Sequence, residues 1–220
     1  MVGEGPHPGF VHRFIGGRGG SGVTLLLLHG TGGDESDLIP LGRELAPGAA
    51  LLSVRGKVLE NGLPRFFRRL AEGVFDQEDL RLRTRELAVF VGEASREYGF
   101  DPSRVVAVGY SNGANVAASV MLRCPQTLRA AVLLRAMVPF EPRELPDLSG
   151  RSVFLSAGRF DPMIPRESAS RLAEILRAAG AEVELRWQEA GHGLTRAEIE
   201  EAGVWLRDGV ISRIEGEREG

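Results

Sequence analysis

The stretch Val105-Val106-Ala107-Val108-Gly109-Tyr110-Ser111-Asn112-Gly113-Ala114-Asn115-Val116-Ala117-Ala118 decides the fold. Its first four residues form a continuous apolar run of the kind expected in a strand buried on both faces. The Ala-rich residues at its end continue to Arg123 and predict a helix over Asn112–Arg123 whose small side chains let it pack close to a sheet. Between strand and helix lies Gly-Tyr-Ser-Asn-Gly, a sharp turn. Gly109 and Gly113 lack Cβ atoms, so the two elements can approach closely around a strained serine.

The same alternation extends outward along the chain. Val23–Leu28, Ala49–Val54, Ala130–Leu134 and Val153–Leu155 read as further parallel strands. Val183, Leu185 and Trp187 alternate with charged residues, as a strand nearer the sheet edge should, and Phe10–Ile15 adds one at the opposite edge before the Gly-rich turn Gly16–Gly22. Leu80, Leu87, Val91, Ala94 and Tyr98 form an apolar stripe on a helix over Glu78–Tyr98, with Gly99 as its stop. Leu172, Ile175 and Leu176 share a face of Arg166–Ala179. Thr195 and Glu198 have capping-box spacing and open a last helix with Ile199, Ala202 and Leu206 inward. Strands alternating with helices, without repeats or long linkers, predict a single α/β domain over residues 1–220, built on a mostly parallel, doubly wound sheet of about seven strands. Residues 1–9 and 211–220 are expected to be flexible.

Composition narrows the function classes. The chain has 220 residues, a 43% hydrophobic fraction, 26% charged residues and a net charge of -3, ordinary for one soluble domain. That balance argues against nucleic acid, which needs a concentrated basic surface. Arg65, Arg68 and Arg69 form the only basic cluster, and a solvated face explains it as well as an anion site does. The lone Cys124 allows neither an intrachain disulfide nor a Cys-based metal site. No apolar run approaches the ~20 residues of a membrane helix, and the N-terminus lacks a signal pattern. A cytoplasmic enzyme with no membrane partner is the expectation.

Serine is a weak nucleophile without a base. Sites built on a strand–Gly-x-Ser-x-Gly–helix turn place serine, acid and histidine in that order along the chain. Of His7, His12, His29 and His192, only His192, in Ala190-Gly191-His192-Gly193, follows Ser111. The acid should leave the end of a strand between them. Asp161 does so, in Ser156-Ala157-Gly158-Arg159-Phe160-Asp161-Pro162, whereas Asp147 precedes its strand and Glu189 lies too near His192. The loop Leu28-His29-Gly30-Thr31-Gly32-Gly33-Asp34 lacks the glycine and lysine spacing of a phosphate loop. Its backbone can instead aim an amide at a reacting carbonyl oxygen, so Thr31 and Asn112 are the expected oxyanion donors. His29 is expected to shape this loop, and no His/carboxylate cluster has metal-ligand spacing.

Together, His29–Asp34, Gly109–Gly113, the Gly-x-x-Asp-Pro setting of Asp161 and Gly191-His192-Gly193 resemble the phospholipase/carboxylesterase family of α/β-hydrolases. With Arg65-Phe66-Phe67, they are most similar to bacterial carboxylesterases grouped with hydroquinone-resistance hydrolases. The resemblance spans about residues 20–208. It implies an α/β-hydrolase fold without a cap domain, acting on small esters or thioesters without a cofactor. Asn112 departs from the Gln usual in thioesterase-like members, which puts thioesterase substrates in doubt. The expected partner is a small-molecule ester, with Phe66, Phe67, Met137, Phe140 and Met163 as candidate pocket walls. Arg55–Phe75 lacks helix or strand periodicity and is expected to form a wall or flap over the acyl pocket, with core anchoring or a homodimer contact as alternatives for its phenylalanines. Two other functions remain open: a lysophospholipase or acyl-protein thioesterase, and a ligand-binding protein with vestigial hydrolysis.

Overall fold

The apolar runs lie side by side. The structure is a computed structural model and describes residues 2–6, 9–18 and 22–217. Its strands are β1 (Val2–Pro6), β2 (Val11–Ile15), β3 (Thr24–Leu28), β4 (Ala50–Val54), β5 (Val58–Glu60), β6 (Leu63–Arg65), β7 (Arg69–Ala71), β8 (Val74–Phe75), β9 (Val105–Tyr110), β10 (Ala130–Leu134), β11 (Ser152–Gly158) and β12 (Glu182–Gln188). Its helices are α1 (Ile39–Leu45), α2 (Gln77–Tyr98), α3 (Asn112–Arg123), α4 (Arg166–Ala178), α5 (Arg196–Val204) and α6 (Ser212–Gly216). The main sheet has the order β1-β2-β4-β3-β9-β10-β11-β12. From β4 to β12 every pairing is parallel, and only β2 runs against its two neighbours.

Alternation along each strand sends successive side chains to opposite faces. Leu25, Leu27, Val106, Val108, Val132 and Leu134 meet Ile39 and Leu45 of α1, Ala202 of α5 and Ile214 of α6. Leu26, Leu28, Val105, Ala107, Ala131 and Leu133 pack under α2, α3 and α4. Helices on both faces leave the strands' C-terminal ends open to build a site, which is where ligands bind in open α/β sheets. No helix among the described residues is long and apolar enough to cross a membrane.

The fold class is as expected, and regular structure extends into the described residues near both chain ends. Val2–Pro6 pairs with β2, from Val2 opposite Ile15 to Pro6 opposite Val11, and so supplies an eighth strand. After α5 the chain continues through a π-helical segment, Trp205–Ile211, into α6. Val210 and Ile214, one turn apart, are buried against the sheet. The charged residues around them mask that short stripe in the sequence. Residues 218–220 and His7 lie outside the described residues.

Arg55–Phe75 is also regular. It folds as two hairpins, β5–β6 and β7–β8. Asn61 and Gly62 link the first with φ of 51° and 81°, the left-handed pair that a tight two-residue hairpin turn requires.

Candidate active site

The turn between β9 and α3 holds Ser111 at φ 53°, a left-handed conformation costing a non-glycine residue on the order of 1–3 kcal/mol. The two glycines are steric requirements. A Cβ on Gly109 would lie 2.6 Å from the Gly113 carbonyl oxygen, and one on Gly113 would lie 1.9 Å from that of Leu28. The Ser111 N–H donates to the Leu134 carbonyl at 2.9 Å, and its own carbonyl accepts from Asn115 N–H at 3.0 Å. The nucleophile candidate is thus tied to both β10 and α3.

Asp161 and His192 come together because the loops after β11 and β12 pack backbone to backbone. Arg159 N–H donates to Gln188 O at 2.8 Å and Phe160 N–H to Ala190 O at 3.0 Å. A Cβ on Gly158 would sit 2.4 Å from Gly191 O. His192 Nδ1 lies 2.8 Å from Asp161 Oδ2, and Nε2 lies 2.9 Å from Ser111 Oγ. A carboxylate can only accept, so Nδ1 carries the proton and Nε2 turns its lone pair to the serine hydroxyl. The other Asp161 oxygen accepts from the N–H groups of Met163 (2.8 Å) and Ile164 (3.2 Å), which orients the carboxylate. Tyr110 O–H donates to the His192 carbonyl at 3.1 Å.

The other candidates have structural partners. His12 bridges Phe10 O and Tyr98 Oη. His29 lies 2.6 Å from Gly30 O through Nδ1 and accepts from Gly56 N–H at 2.9 Å through Nε2, so it joins the loop after β3 to the start of the hairpin segment. Burial pulls its pKa below the ordinary value, against the opposing Gly30 hydrogen bond and the nearby Asp37 and Asp34. Asp147 caps a turn at Ser149 N–H, and Glu189 pairs with Arg159 on the surface.

A cavity of ≈ 40 Å³ opens at Ser111 and His192. Thr31, Asn112, Met137 and Met163 line it, together with Arg65, Phe75, Asn115 and Ile164. Phe66, Phe67 and Phe140 are not among the residues that line it. Phe66 and Phe67 are buried in the core, Phe66 beside His29 at 4.8 Å between ring centroids and Phe67 edge-on to Phe75 at 5.0 Å. Phe140 lies under the Arg123 guanidinium, 3.8 Å from its ring centre. The hairpin segment still walls the cavity, through Arg65, Arg69, Glu72, Gly73 and Phe75. Buried Arg65 donates to Thr31 Oγ1 at 2.7 Å and faces Glu60 at 3.3 Å. The Asn112 side chain accepts from Phe66 N–H at 2.7 Å, tying segment to turn. The backbone N–H groups of Thr31 and Asn112 carry no hydrogen bond among the described residues.

Two residues near the site escaped sequence reasoning. Arg135 follows the all-apolar run of β10 and is buried. Glu198 reads in the sequence only as the capping residue of α5, a role it fills, but its carboxylate also meets Arg135 at 2.6 and 2.8 Å. An arginine directly after a strand with no polar residue was the available signal. No group of three or more His, Cys, Asp or Glu among the described residues could hold a metal ion.

Comparison with known proteins agrees with the resemblance carried by the motifs. The sequence profile of the dienelactone hydrolase family matches residues 67–205. The chain is 50% identical over 194 residues to the putative hydrolase MhqD of Bacillus subtilis (strain 168), across 88% of this chain and 97% of that protein. The crystal structure of the Bacillus cereus carboxylesterase superposes with a TM-score of 0.89 at 49% identity, over 90% of this chain and 94% of the other. A carboxylesterase from Mesorhizobium loti gives a TM-score of 0.87 at 32% identity, over 94% and 98%.

Proposed function

The chain belongs to the dienelactone hydrolase family, and from that premise we propose that it is a serine carboxylesterase acting on small to medium acyl esters through an acyl-Ser111 intermediate. His192 removes the hydroxyl proton as Ser111 Oγ attacks the ester carbonyl. The backbone N–H groups of Thr31 and Asn112 stabilise the resulting oxyanion, and His192 returns the proton to the departing alcohol. In the second half, His192 activates a water that attacks the acyl carbon and frees Ser111. Asp161 holds the imidazole tautomer and stabilises its charged form. No step calls for a cofactor.

The observation that carries this reading is the His192 ring, with one nitrogen on a carboxylate and the other on the hydroxyl of a strained serine. The narrow cavity supports short acyl groups over the long chains of lysophospholipids. A fluorophosphonate probe should label the wild type and spare Ser111→Ala, and an acetate-to-hexanoate series of p-nitrophenyl esters should favour the short end. Wild-type protein that binds esters but neither labels nor turns over would instead be a binding protein on a hydrolase fold.

A further inference from the structure

We infer that Arg135 is a positioning residue for the proposed base, clamping with Glu198 the backbone on both sides of His192. The inference rests on the reading of His192 given above. A guanidinium has five N–H groups, and here all five meet acceptors. Nε donates to Gly191 O at 2.9 Å and Nη2 to Gly193 O at 2.8 Å. The other three go to the two Glu198 oxygens and to Ser156 Oγ. Glu198 in turn accepts from Ser156 Oγ and Thr195 N–H, each at 2.5 Å. Both side chains are 0% exposed, and Arg135 is absent from the cavity lining. It therefore acts through the histidine loop rather than on substrate.

The loop's other ties are Tyr110 O–H on the His192 carbonyl and Phe160 N–H on the Ala190 carbonyl, neither of which spans both sides of the histidine. Gly191 and Gly193 have no side chains, and a Cβ at Gly193 would meet nothing within 4 Å. The backbone beside Arg135 also reaches the nucleophile: Leu134 O accepts the Ser111 N–H. A two-residue span thus references serine and histidine to one another. Fold stability alone would not call for the pair, since apolar residues of similar size stabilise a core about as well as a buried ion pair does.

That equivalence supplies the test. The double variant Arg135→Met with Glu198→Leu keeps the buried volume and removes the clamp. Its melting temperature should drop by several degrees, through the lost α5 cap and the unpaired Ser156 hydroxyl, while the protein stays folded. Its kcat for p-nitrophenyl acetate should fall about 10²-fold, the scale of a misplacement near 1 Å, with KM little changed. The low-field proton signal of His192 Nδ1–H should broaden or vanish. Arg135→Lys keeps the charge against Glu198 but cannot reach both carbonyls, so its kcat should fall between the two. A folded double variant with wild-type kcat and an intact low-field signal overturns the clamp, and so does full activity in Arg135→Lys should the double variant not fold. Wild-type esterase activity that survives Ser111→Ala would overturn the functional reading instead. The clamp is then judged on the low-field signal, which must be present in wild type and lost in the variant.

Discussion

Each member of the Ser111–His192–Asp161 set is held by contacts that do not depend on the other two, His192 by Tyr110 on its own carbonyl and by Arg135 on those of its two glycine neighbours. Ser111 is anchored to Leu134 and Asn115, and Asp161 to Met163 and Ile164. Substituting one member should therefore leave the others in place and act on chemistry rather than folding. Ser111→Ala and His192→Ala are each expected to lower kcat about 10⁴-fold or more with melting temperature maintained. Asp161→Asn should cost about 10⁴-fold, because a neutral amide neither selects the productive tautomer nor stabilises the imidazolium. The rival carboxylates supply the control. Asp147→Asn and Glu189→Gln should keep wild-type turnover, and loss of activity in either, with Asp161→Asn active, would reassign the acid.

Elements with a long period were legible in the sequence, and those built from two or three residues were not. The bounds of α3, those of α2 to within one residue, and the capping box of α5 match the reading because a stripe or cap repeats or pairs within the element. Chain order and loop setting singled out Ser111, Asp161 and His192, which the structure brings within hydrogen-bond distance of one another. The hairpins β5–β6 and β7–β8 offer no period to read, and only Asn61-Gly62 signalled the first. For the same reason the place of Phe66 and Phe67 stayed open in the sequence, since two adjacent phenylalanines on an irregular segment fit a pocket wall as well as a core anchor. Their burial now favours anchoring. Phe66→Ala and Phe67→Ala should each destabilise by about 3–5 kcal/mol, the usual range for a buried phenylalanine, while leaving the acetate-to-hexanoate rate ratio unchanged. Phe75→Ala and Met137→Ala remove atoms that line the cavity and should shift that ratio toward hexanoate. A changed ratio in the Phe66 or Phe67 variants without loss of stability would return those residues to the wall.

Across the whole molecule, two buried titratable groups flank the central strand β9 at the edge where the site is built. His29 joins the β3 loop to Gly56, and Glu198 joins α5 to β10 and β11 through Arg135 and Ser156. Both couple folding to pH, in different windows. The unfolded chain takes up a proton on histidine near the ordinary value of 6.5, while burial of His29 holds its folded pKa lower. Stability is therefore full above about 6.5 and declines as pH falls from there toward the lowered value, because the unfolded state binds the proton first. For Glu198, burial alone would raise the carboxyl, but the hydrogen bonds from Arg135, Ser156 and Thr195 outweigh it and hold the group below its ordinary 4.5. Its contribution persists above that value and is lost as pH falls through the depressed one. Urea midpoints measured from pH 8 to pH 4 should be level at first, decline below about 6.5 and steepen below about 4.5. In His29→Gln, the Gln carbonyl oxygen can still accept the Gly56 N–H but has no proton to gain, so the upper decline should flatten while the lower one stays. An unchanged upper slope in His29→Gln would remove His29 from the acid response and assign that decline to a group other than Glu198, whose window lies below about 4.5.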